Sequence, residues 1–326
     1  MISQPHETYR QEPPVPLTIV TIVKDIILQR RELPFRNCTD SVAMQTFPGI
    51  EHLIVDGGST DGTVELLQSL AAAGKIRFVS ERDHGIYDAM NKGIRLAKGQ
   101  YILFLHSDDA LTDCCTAEHA MKILLANDAD YGYADAEVYS QDHAQLIRIW
   151  EGTLADIPFG VYPCHQTLFC KRSVLEKTGG FSEKYLANAN LCMCRLASGS
   201  WKGIRIPGAT TAFHLGGASG ILQKQLARLE KEHIRFLLDE CGWNLTEQEA
   251  SLLYNRKYCG IPWQEAVRLG VKLPKQEWVE RYFEHYIAFL KQQQTVQQHQ
   301  IQKQPEMCKL RLFGILPFCA FPARER

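Results

Sequence analysis

The stretch Glu51-His-Leu-Ile-Val-Asp-Gly-Gly-Ser-Thr-Asp-Gly-Thr63 opens the part of the sequence that decides the fold, and Tyr101-Ile-Leu-Phe-Leu-His-Ser-Asp-Asp109 closes it. In both, an apolar run that is typical of a buried strand ends abruptly in carboxylates. Ligands of an α/β sheet bind in the crevice beyond the carboxyl ends of its strands. We therefore expect Asp56 and the Asp108–Asp109 pair to lie on the same side of one ligand site.

The order of strand and helix patterns around these stretches predicts the fold class. Leu17-Thr-Ile-Val-Thr-Ile-Val23 is a continuous β-branched run of the kind that a parallel sheet buries on both faces. Helical patterns separate this run from Glu51–Val55, Ile76–Ser80 and Tyr101–Leu105, an order typical of right-handed βαβ units. After about residue 128 the strands alternate more, which predicts antiparallel pairing. The expected class is α/β, with a mostly parallel, twisted, Rossmann-like half, an antiparallel half and a helical C-terminal extension.

The sequence divides into four expected regions. They are a disordered Pro-rich tail over 1–16, the α/β domain over 17–220, a helical extension over 221–291, and a Gln-rich linker with an apolar and basic tail over 292–326. The Gln-rich run has too little apolar content for a core, so we expect it to be extended or frayed. Locally, we expect a helix over 26–46 that breaks at Pro34, and a strand over His165–Cys170.

Composition excludes several classes of protein. With 36 basic and 37 acidic residues, the chain has no net positive charge that would attract nucleic acid or a membrane surface over a broad area. Its 11 cysteines include no Cys-x-x-Cys pair, and residues 1–16 do not resemble a signal sequence, so we expect reduced thiols in the cytosol and no zinc site. No stretch approaches the roughly 20 apolar residues of a spanning helix. These features predict a soluble cytosolic protein that at most sits on a membrane surface.

Asp108 and Asp109 are candidate ligands of Mg²⁺ or Mn²⁺. Both ions prefer carboxylate oxygens and keep substrate phosphates in their coordination shell. Two adjacent carboxylates cannot both face the same way, so we expect one to ligate the ion and the other to orient it. A simple loop cap is the alternative, because Ser-Asp-Asp is common in turns, but Asp56 on a neighbouring strand end favours a site.

Other polar residues of the crevice are candidates for binding a nucleotide. Asp56 would accept hydrogen bonds from a base or ribose, and Asp25 ends the first strand. The remaining candidates follow the third strand or could reach phosphate from the next helix: Arg82, Asp83, Asn91 and Lys92. The glycines form neither the dinucleotide-binding pattern nor a P-loop, which argues against a Rossmann dehydrogenase and a P-loop NTPase.

Three motifs together resemble the family 2 glycosyltransferases of bacterial polysaccharide synthesis, most closely the colanic-acid and O-antigen type. They are Asp56-Gly-Gly-Ser-Thr-Asp-Gly-Thr63, Asp83-His-Gly-Ile-Tyr-Asp-Ala-Met-Asn-Lys-Gly93 and Phe104-Leu-His-Ser-Asp-Asp109. Later matches in order are His165-Gln166, Gly179-Gly180-Phe181 and Phe213-His-Leu-Gly-Gly-Ala-Ser219, so the similarity covers roughly residues 17–220.

This resemblance implies a GT-A fold, in which the parallel half takes the nucleotide and the antiparallel half the acceptor. It also implies a UDP- or GDP-sugar donor, a divalent metal and inversion at the anomeric carbon. Asp56 and Asp108 would then lie at the nucleotide and Asp109 would bind the metal. His165, Gln166 and His214 would lie near the donor or acceptor sugar. By the same resemblance, the acceptor would be a lipid-linked saccharide at the inner face of the plasma membrane.

The sequence departs from the family where a catalytic base is usual. The family has an Asp in an Ala-Asp-Tyr-like segment that opens a helix ending in Arg-Leu, whereas this chain reads Ala187-Asn-Ala-Asn-Leu-Cys-Met-Cys-Arg-Leu196. The base position falls on Ala189, or on Asn190 with a shift of one residue. Three explanations stay open: a base from Glu183 or Asp156, a weakened or inactive copy, or help from His165 or His214.

Two other functions fit the same residues less well. One is a non-catalytic nucleotide-sugar binding protein, and the other is a nucleotidyltransferase, which the absence of a Gly-rich basic loop after the first strand disfavours. The apolar segment Leu310–Phe321 with its basic flanks is either packed on the domain or a reversible interfacial anchor.

Overall fold

The computed structural model describes residues 15–142, 144–216 and 225–312. Within these residues, nine strands form one sheet in the spatial order β3-β2-β1-β4-β8-β6-β9-β5, with β7 paired to β6. Their bounds are β1 Leu17–Val23, β2 Ile50–Asp56, β3 Arg77–Ser80, β4 Tyr101–Phe104, β5 Ala110–Leu111, β6 Tyr131–Tyr139, β7 Leu146–Trp150, β8 Phe169–Lys171 and β9 Gly203–His214.

The first half of the sheet is parallel, as the sequence predicts. β1 pairs with β2 and β4, and β2 pairs with β3, all in parallel register. The connections carry α1 (Glu32–Ala43), α2 (Thr63–Ala72) and α3 (Ile86–Leu96). α3 packs so closely on β1 that a Cβ at Gly93 would lie 2.6 Å from Val20 Cγ1. This contact holds the second half of α3 against the middle of β1.

Helix α1 is not broken at Pro34, contrary to the prediction. The chain turns after β1 and the helix begins at Glu32, which puts Pro34 in its first turn. The backbone N–H that proline lacks has no intrahelical partner in a first turn, so proline is tolerated there.

The second half of the sheet is largely antiparallel. β8 pairs antiparallel with β4 and β6, β7 with β6, and β5 with β9, whereas β6 and β9 are parallel. β9 runs as one strand along β6, with register shifts opposite Asp135. The helices of this half are α4 (Thr116–Ala126), α5 (Arg172–Lys177) and α6 (Asn188–Ser198).

The strand predicted over His165–Cys170 is half wrong. His165–Thr167 forms a single 3₁₀ turn, and β8 begins only at Phe169. The turn closes because Thr167 N donates to Cys164 O at 3.0 Å and Thr167 Oγ1 donates to Cys164 O at 2.7 Å. Thr167 Oγ1 also lies 2.9 Å from Ala134 O, which anchors the turn to β6.

The predicted helical extension is divided between two compact units, of which the first ends at Asn255 and the second begins at Arg256. The first unit contains α7 (Leu226–Arg235), a π turn over Phe236–Glu240 and α8 (Glu247–Leu253). The second contains α9 (Trp263–Val271) and α10 (Gln276–Leu312), with Tyr258 and Tyr282 stacked at 4.1 Å.

The Gln-rich run is helical rather than extended or frayed, because α10 continues through it to Leu312. Glutamine has a good intrinsic helix propensity, and the span contains no glycine. The predicted tail over residues 1–14 and the apolar segment beyond Leu312 lie outside the described residues. Among the helices of the described part, none has both the length and the apolar content that crossing a bilayer requires.

Candidate functional site

A cavity of about 850 Å³ lies beyond the carboxyl ends of β1 and β4. Its walls come from loops that are far apart in sequence but meet at this edge of the sheet. They are the residues after β1, the loop that opens α3, the turn after β4, the 3₁₀ turn before β8, the segment that opens α6, and the end of β9. The predicted ligand crevice therefore exists, and residues of both halves of the sheet line it.

The Asp108–Asp109 pair lines this cavity. The carboxyl group of Asp109 is 2% exposed, and it accepts hydrogen bonds from His214 N at 2.9 Å and from the Gln166 side-chain amide at 3.0 Å. Asp108 is more open and forms an ion pair with the guanidinium of Arg31. Burial, and then the neighbouring charge of Asp108, raise the pKa of Asp109 well above its usual range. The site thus holds two neighbouring carboxylates, of which one is anchored and one faces an arginine.

His106 and His165 form a second polar pair in the cavity wall. Their Nε2 atoms are 3.2 Å apart and their ring centroids 4.9 Å apart in an edge-to-face arrangement. Burial, and then the neighbouring His106, lower the pKa of His165 to about 3, and burial lowers the pKa of His106. Both rings are therefore neutral at pH 7, and one donates its Nε2–H to the other.

Asp56 holds the turn after β2 rather than facing the cavity. Its fully buried carboxylate accepts hydrogen bonds from Gly58 N at 3.1 Å, Ser59 N at 3.0 Å and Ser80 Oγ at 2.6 Å. These bonds tie β2 to β3 and keep the turn closed, with Gly58 at a φ of +78°. Asp56 is not among the cavity-lining residues, so its predicted contact with the nucleotide stays a prediction.

Asp83 reaches the cavity, whereas Asp25 and Arg82 do not. A Cβ at Gly57 would lie 2.4 Å from Asp83 Oδ2, so the carboxylate needs a glycine at this position. Asp25 adopts a φ of +50° and its N–H donates to Ser59 Oγ at 2.7 Å. The backbone of Arg82 packs on Gly58 outside the cavity lining.

Asn91 and Lys92 are not among the cavity-lining residues, so their predicted contact with phosphate stays a prediction. Asn91 binds the backbone of Phe181 twice, at 2.7 and 2.8 Å, which joins α3 to the loop before α6. Lys92 donates to Arg82 O at 2.8 Å and lies 3.2 Å from Glu81. Their positions on α3 turn these side chains towards neighbouring loops, where internal hydrogen bonds hold them.

The segment that opens α6 forms another part of the cavity wall. Ala189, the predicted base position, lines the cavity together with Glu183, whereas Asn190 does not. Asp156, the other carboxylate considered, is buried outside the lining. No carboxylate is therefore present at Ala189 itself, and Glu183 is an acidic residue of the same segment that lines the cavity.

Three groups that the sequence did not single out hold this wall. The buried carboxylate of Glu232, on α7, accepts hydrogen bonds from Leu186 N at 3.0 Å and Ala187 N at 3.1 Å. Tyr87 donates from its hydroxyl to Leu186 O at 2.7 Å and accepts from Asn188 N at 3.0 Å. The Asn188 side chain bonds to the backbone of Ser182. Because these partners lie on α3 and α7, only the folded structure reveals them.

The described residues contain no cluster of three or more His, Cys, Asp or Glu side chains arranged to hold a metal ion by themselves. A cation beside Asp108 and Asp109 would therefore need ligands from a substrate, as Mg²⁺ commonly does with phosphates.

A comparison of the sequence with known proteins finds a matching family model and several relatives. Residues 26–167 match the family model described as "Glycosyl transferase family 2". The PGL/p-HBAD biosynthesis glycosyltransferase of Mycobacterium bovis is 33% identical over 153 residues, which are 45% of this chain and 58% of that relative. The chain therefore spans little more than half the length of this curated relative.

Two solved structures share the fold. Residues 1–349 of S. aureus TarS, in complex with UDP-GlcNAc, are 16% identical with a TM-score of 0.56, and the match covers 84% of this chain and 81% of that one. The mannosyltransferase PcManGT from Pyrobaculum calidifontis, in complex with GDP-Man and Mn²⁺, is 18% identical with a TM-score of 0.52, and the match covers 84% of each chain. At this identity the likeness concerns the fold.

Proposed function

We propose that the chain, which has the GT-A fold, is a member of glycosyl transferase family 2 and an inverting glycosyltransferase that moves a sugar from a UDP- or GDP-linked donor to a saccharide acceptor. The observation that carries this proposal is the cavity of about 850 Å³, which is lined by two adjacent carboxylates and by the start of α6. A cavity of this size is typical of sites for drug-sized ligands and cofactors.

The charges of the cavity support a divalent cation, Mn²⁺ or Mg²⁺, as a partner of the donor. Among the described lining residues, the acidic ones are Asp83, Asp88, Asp108, Asp109 and Glu183, and the Lys and Arg residues are Lys24 and Arg31. A donor diphosphate adds further negative charge to this excess. Carboxylate oxygens suit a hard cation, and Asp108 and Asp109 would hold it, with phosphate oxygens completing its shell. When bound, the cation would neutralise charge on the departing nucleoside diphosphate.

Residues of the chain itself would position the metal-binding carboxylate and accept the proton of the acceptor hydroxyl. Gln166 and His214 N hold Asp109 in place through their hydrogen bonds, so this carboxylate does not need to reorient when the donor binds. The acceptor hydroxyl must lose a proton as it attacks the anomeric carbon, and Glu183 and His165 are the candidate bases on the cavity wall.

Calorimetry with UDP, GDP and their sugar derivatives in Mn²⁺, followed by a product assay, tests the proposal. We expect one nucleotide to bind in a metal-dependent way and its sugar to be transferred to a saccharide. A protein that binds neither nucleotide would contradict the proposed donor. The family assignment already disfavours the nucleotidyltransferase alternative.

A second candidate function is nucleotide-sugar binding without turnover. The observation that favours it is Ala189, which leaves the start of α6 without the carboxylate that the family resemblance implies. Metal-dependent binding with no product from any acceptor would support this reading.

We further propose that the acceptor is lipid-linked and that the protein acts in cell-surface polysaccharide biosynthesis at the cytoplasmic face of the membrane. The apolar segment Leu310–Phe321, with Lys309 and Arg324 beside it, supports an interfacial contact. Co-sedimentation of the full chain with anionic vesicles, compared with a chain that ends before this segment, tests the contact. Equal co-sedimentation of the two chains would contradict it.

A further inference from the structure

Arg31 lies at the cavity immediately before α1 and contacts Asp108. Its guanidinium pairs with Asp108 Oδ2, and the two side chains are 32% and 15% exposed. The backbone at this point is fixed, since Arg31 N donates to Ile26 O at 2.9 Å and the preceding Arg30 has a φ of +55°. Arg31 therefore presents its charge to the cavity from a constrained turn.

This ion pair occupies the position where a divalent cation is expected to bind. Among the basic side chains of the described residues, Arg31 forms an ion pair with Asp108. Asp109 is nearly fully buried beside it, so the two carboxylates need a positive charge nearby. Like charges a few ångströms apart repel, so Arg31 and a divalent cation would compete for the same carboxylate.

Arg31 also has the chemistry of a phosphate ligand. A guanidinium presents several N–H donors in a planar fork that matches two phosphate oxygens, whereas an ammonium acts as a point charge. A guanidinium displaced from Asp108 would still lie in the cavity that takes the donor. Lys24 is the other Lys or Arg among the described lining residues.

We propose that Arg31 is a displaceable counter-ion, which neutralises Asp108 in the donor-free protein and grips the donor's diphosphate once a divalent cation takes its place. This inference rests on the proposed donor. It gives Arg31 two consequences of opposite sign: it weakens the binding of the cation alone and strengthens the binding of the nucleotide in the presence of the cation.

Two titrations of the full chain test both consequences. Mn²⁺ alone is titrated into wild-type, Arg31→Met and Arg31→Lys proteins, and UDP or GDP is then titrated at saturating Mn²⁺. We expect Arg31→Met to bind Mn²⁺ about tenfold more tightly and the nucleotide about tenfold more weakly, as expected for one charge-assisted contact. Arg31→Lys should keep wild-type affinity for Mn²⁺, because its charge remains, but lose nucleotide affinity, because the fork is gone.

The matched control is Arg36→Met. Arg36 lies on α1, the helix that Arg31 precedes, and pairs with Glu32 on the exposed surface, so its loss should change neither titration. Circular dichroism checks the fold, and Arg31→Gln replaces Arg31→Met if the latter does not fold. Unchanged or weaker Mn²⁺ binding in the neutral variant overturns the counter-ion role, and unchanged nucleotide binding overturns the phosphate role. If the wild-type protein binds no nucleotide, the proposed donor fails, and the Mn²⁺ titration still decides whether Arg31 competes with the cation.

Discussion

Glu183 and His165 differ in their fitness as the base for the acceptor hydroxyl. The exposed Glu183 presents a carboxylate on the cavity wall, whereas His165 has a pKa of about 3 and its Nε2 lies 3.2 Å from that of His106. A base is most effective when its pKa is near the working pH, so His165 is poorly suited at neutral pH. We expect Glu183→Gln to lower kcat by about a hundredfold or more.

Donor binding should stay unchanged in Glu183→Gln, because the proposed donor ligands are Asp108 and Asp109, and Glu183 belongs to a different segment of the cavity wall. His165→Gln serves as the comparison, and a smaller loss of kcat is expected for it. A larger loss for His165→Gln, measured as kcat at saturating donor, would assign the base to the histidine instead.

The missing carboxylate at Ala189 can be restored. Ala189 lines the main cavity and also a small adjoining cavity of about 10 Å³ beside His165. An Asp at this position would lie in the first turn of α6, where a negative charge is favourable. We expect Ala189→Asp to raise kcat by about a hundredfold, the usual contribution of a positioned base, if the natural protein is a weakened copy.

Asn190→Asp is the control for this gain, because it adds the same carboxylate one residue along the helix and outside the cavity lining. A gain in Asn190→Asp but not in Ala189→Asp would place the base position one residue later. No gain in either variant, with Glu183→Gln inactive, would show that Glu183 already serves as the base.

At the scale of elements, the wall formed by the start of α6 depends on a carboxylate from α7. Glu232 accepts the N–H groups of Leu186 and Ala187, and Arg228 lies 3.3 Å from it. We expect Glu232→Gln to lower the free energy of unfolding by about 1–3 kcal/mol, because an amide replaces a buried charged acceptor. The KM for the acceptor should rise several-fold, since this wall becomes less fixed, whereas donor affinity should not change.

Glu230→Gln removes a carboxylate from the same helix that instead contacts Ser251 at 2.7 Å, and it should leave the acceptor KM unchanged. Glu232→Asp should restore part of the acceptor KM, because a carboxylate remains. Equal effects on donor and acceptor binding would mean that Glu232 stabilises the whole domain rather than this wall.

The parallel half of the sheet could be predicted to within about one residue at each strand end. A strand such as Leu17–Val23 is buried on both faces, so its own residues form a continuous apolar, β-branched run that can be recognised in the sequence. The 3₁₀ turn at His165 could not be predicted in this way. This turn depends on a hydrogen bond from Thr167 to Ala134 O on β6. Because Ala134 is distant in sequence, the local pattern around His165 does not reveal this bond.

The same distinction separates the predicted site residues. Asp108 and Asp109 follow a buried strand directly, so their place at the sheet edge follows from the strand itself. Asn91 lies on a helix, and whether it faces ligand or protein depends on the loop that packs against it. Arg31 and Glu232 act through partners distant in sequence, which no motif in the sequence indicates.

At the scale of the whole molecule, a buried histidine links stability to pH. The His233 ring on α7 lies 3.1 Å from Pro158 O through Nε2 and 2.5 Å from the Tyr162 hydroxyl through Nδ1. A carbonyl only accepts, so Nε2 carries the proton and Nδ1 accepts from Tyr162. Burial lowers the pKa of His233 to about 4, from 6.5 in an exposed histidine.

This shift sets the sign of the pH dependence. Below about pH 6.5, His233 binds a proton in the unfolded chain but stays neutral in the folded protein, which favours unfolding. The contribution of neutral His233 to the free energy of unfolding is therefore complete above pH 6.5 and is lost as the pH falls towards 4. The loss amounts to about 3 kcal/mol over that interval, since each unit of pKa difference corresponds to about 1.4 kcal/mol.

We therefore expect the Tm of the wild-type protein to fall between pH 7.5 and pH 4.5 more steeply than that of His233→Gln. The glutamine variant keeps a donor and an acceptor at this position but cannot titrate, and both proteins retain every other buried histidine, so the difference between the two curves reports His233 alone. Parallel curves would mean that His233 is protonated in the folded protein as readily as in the unfolded chain.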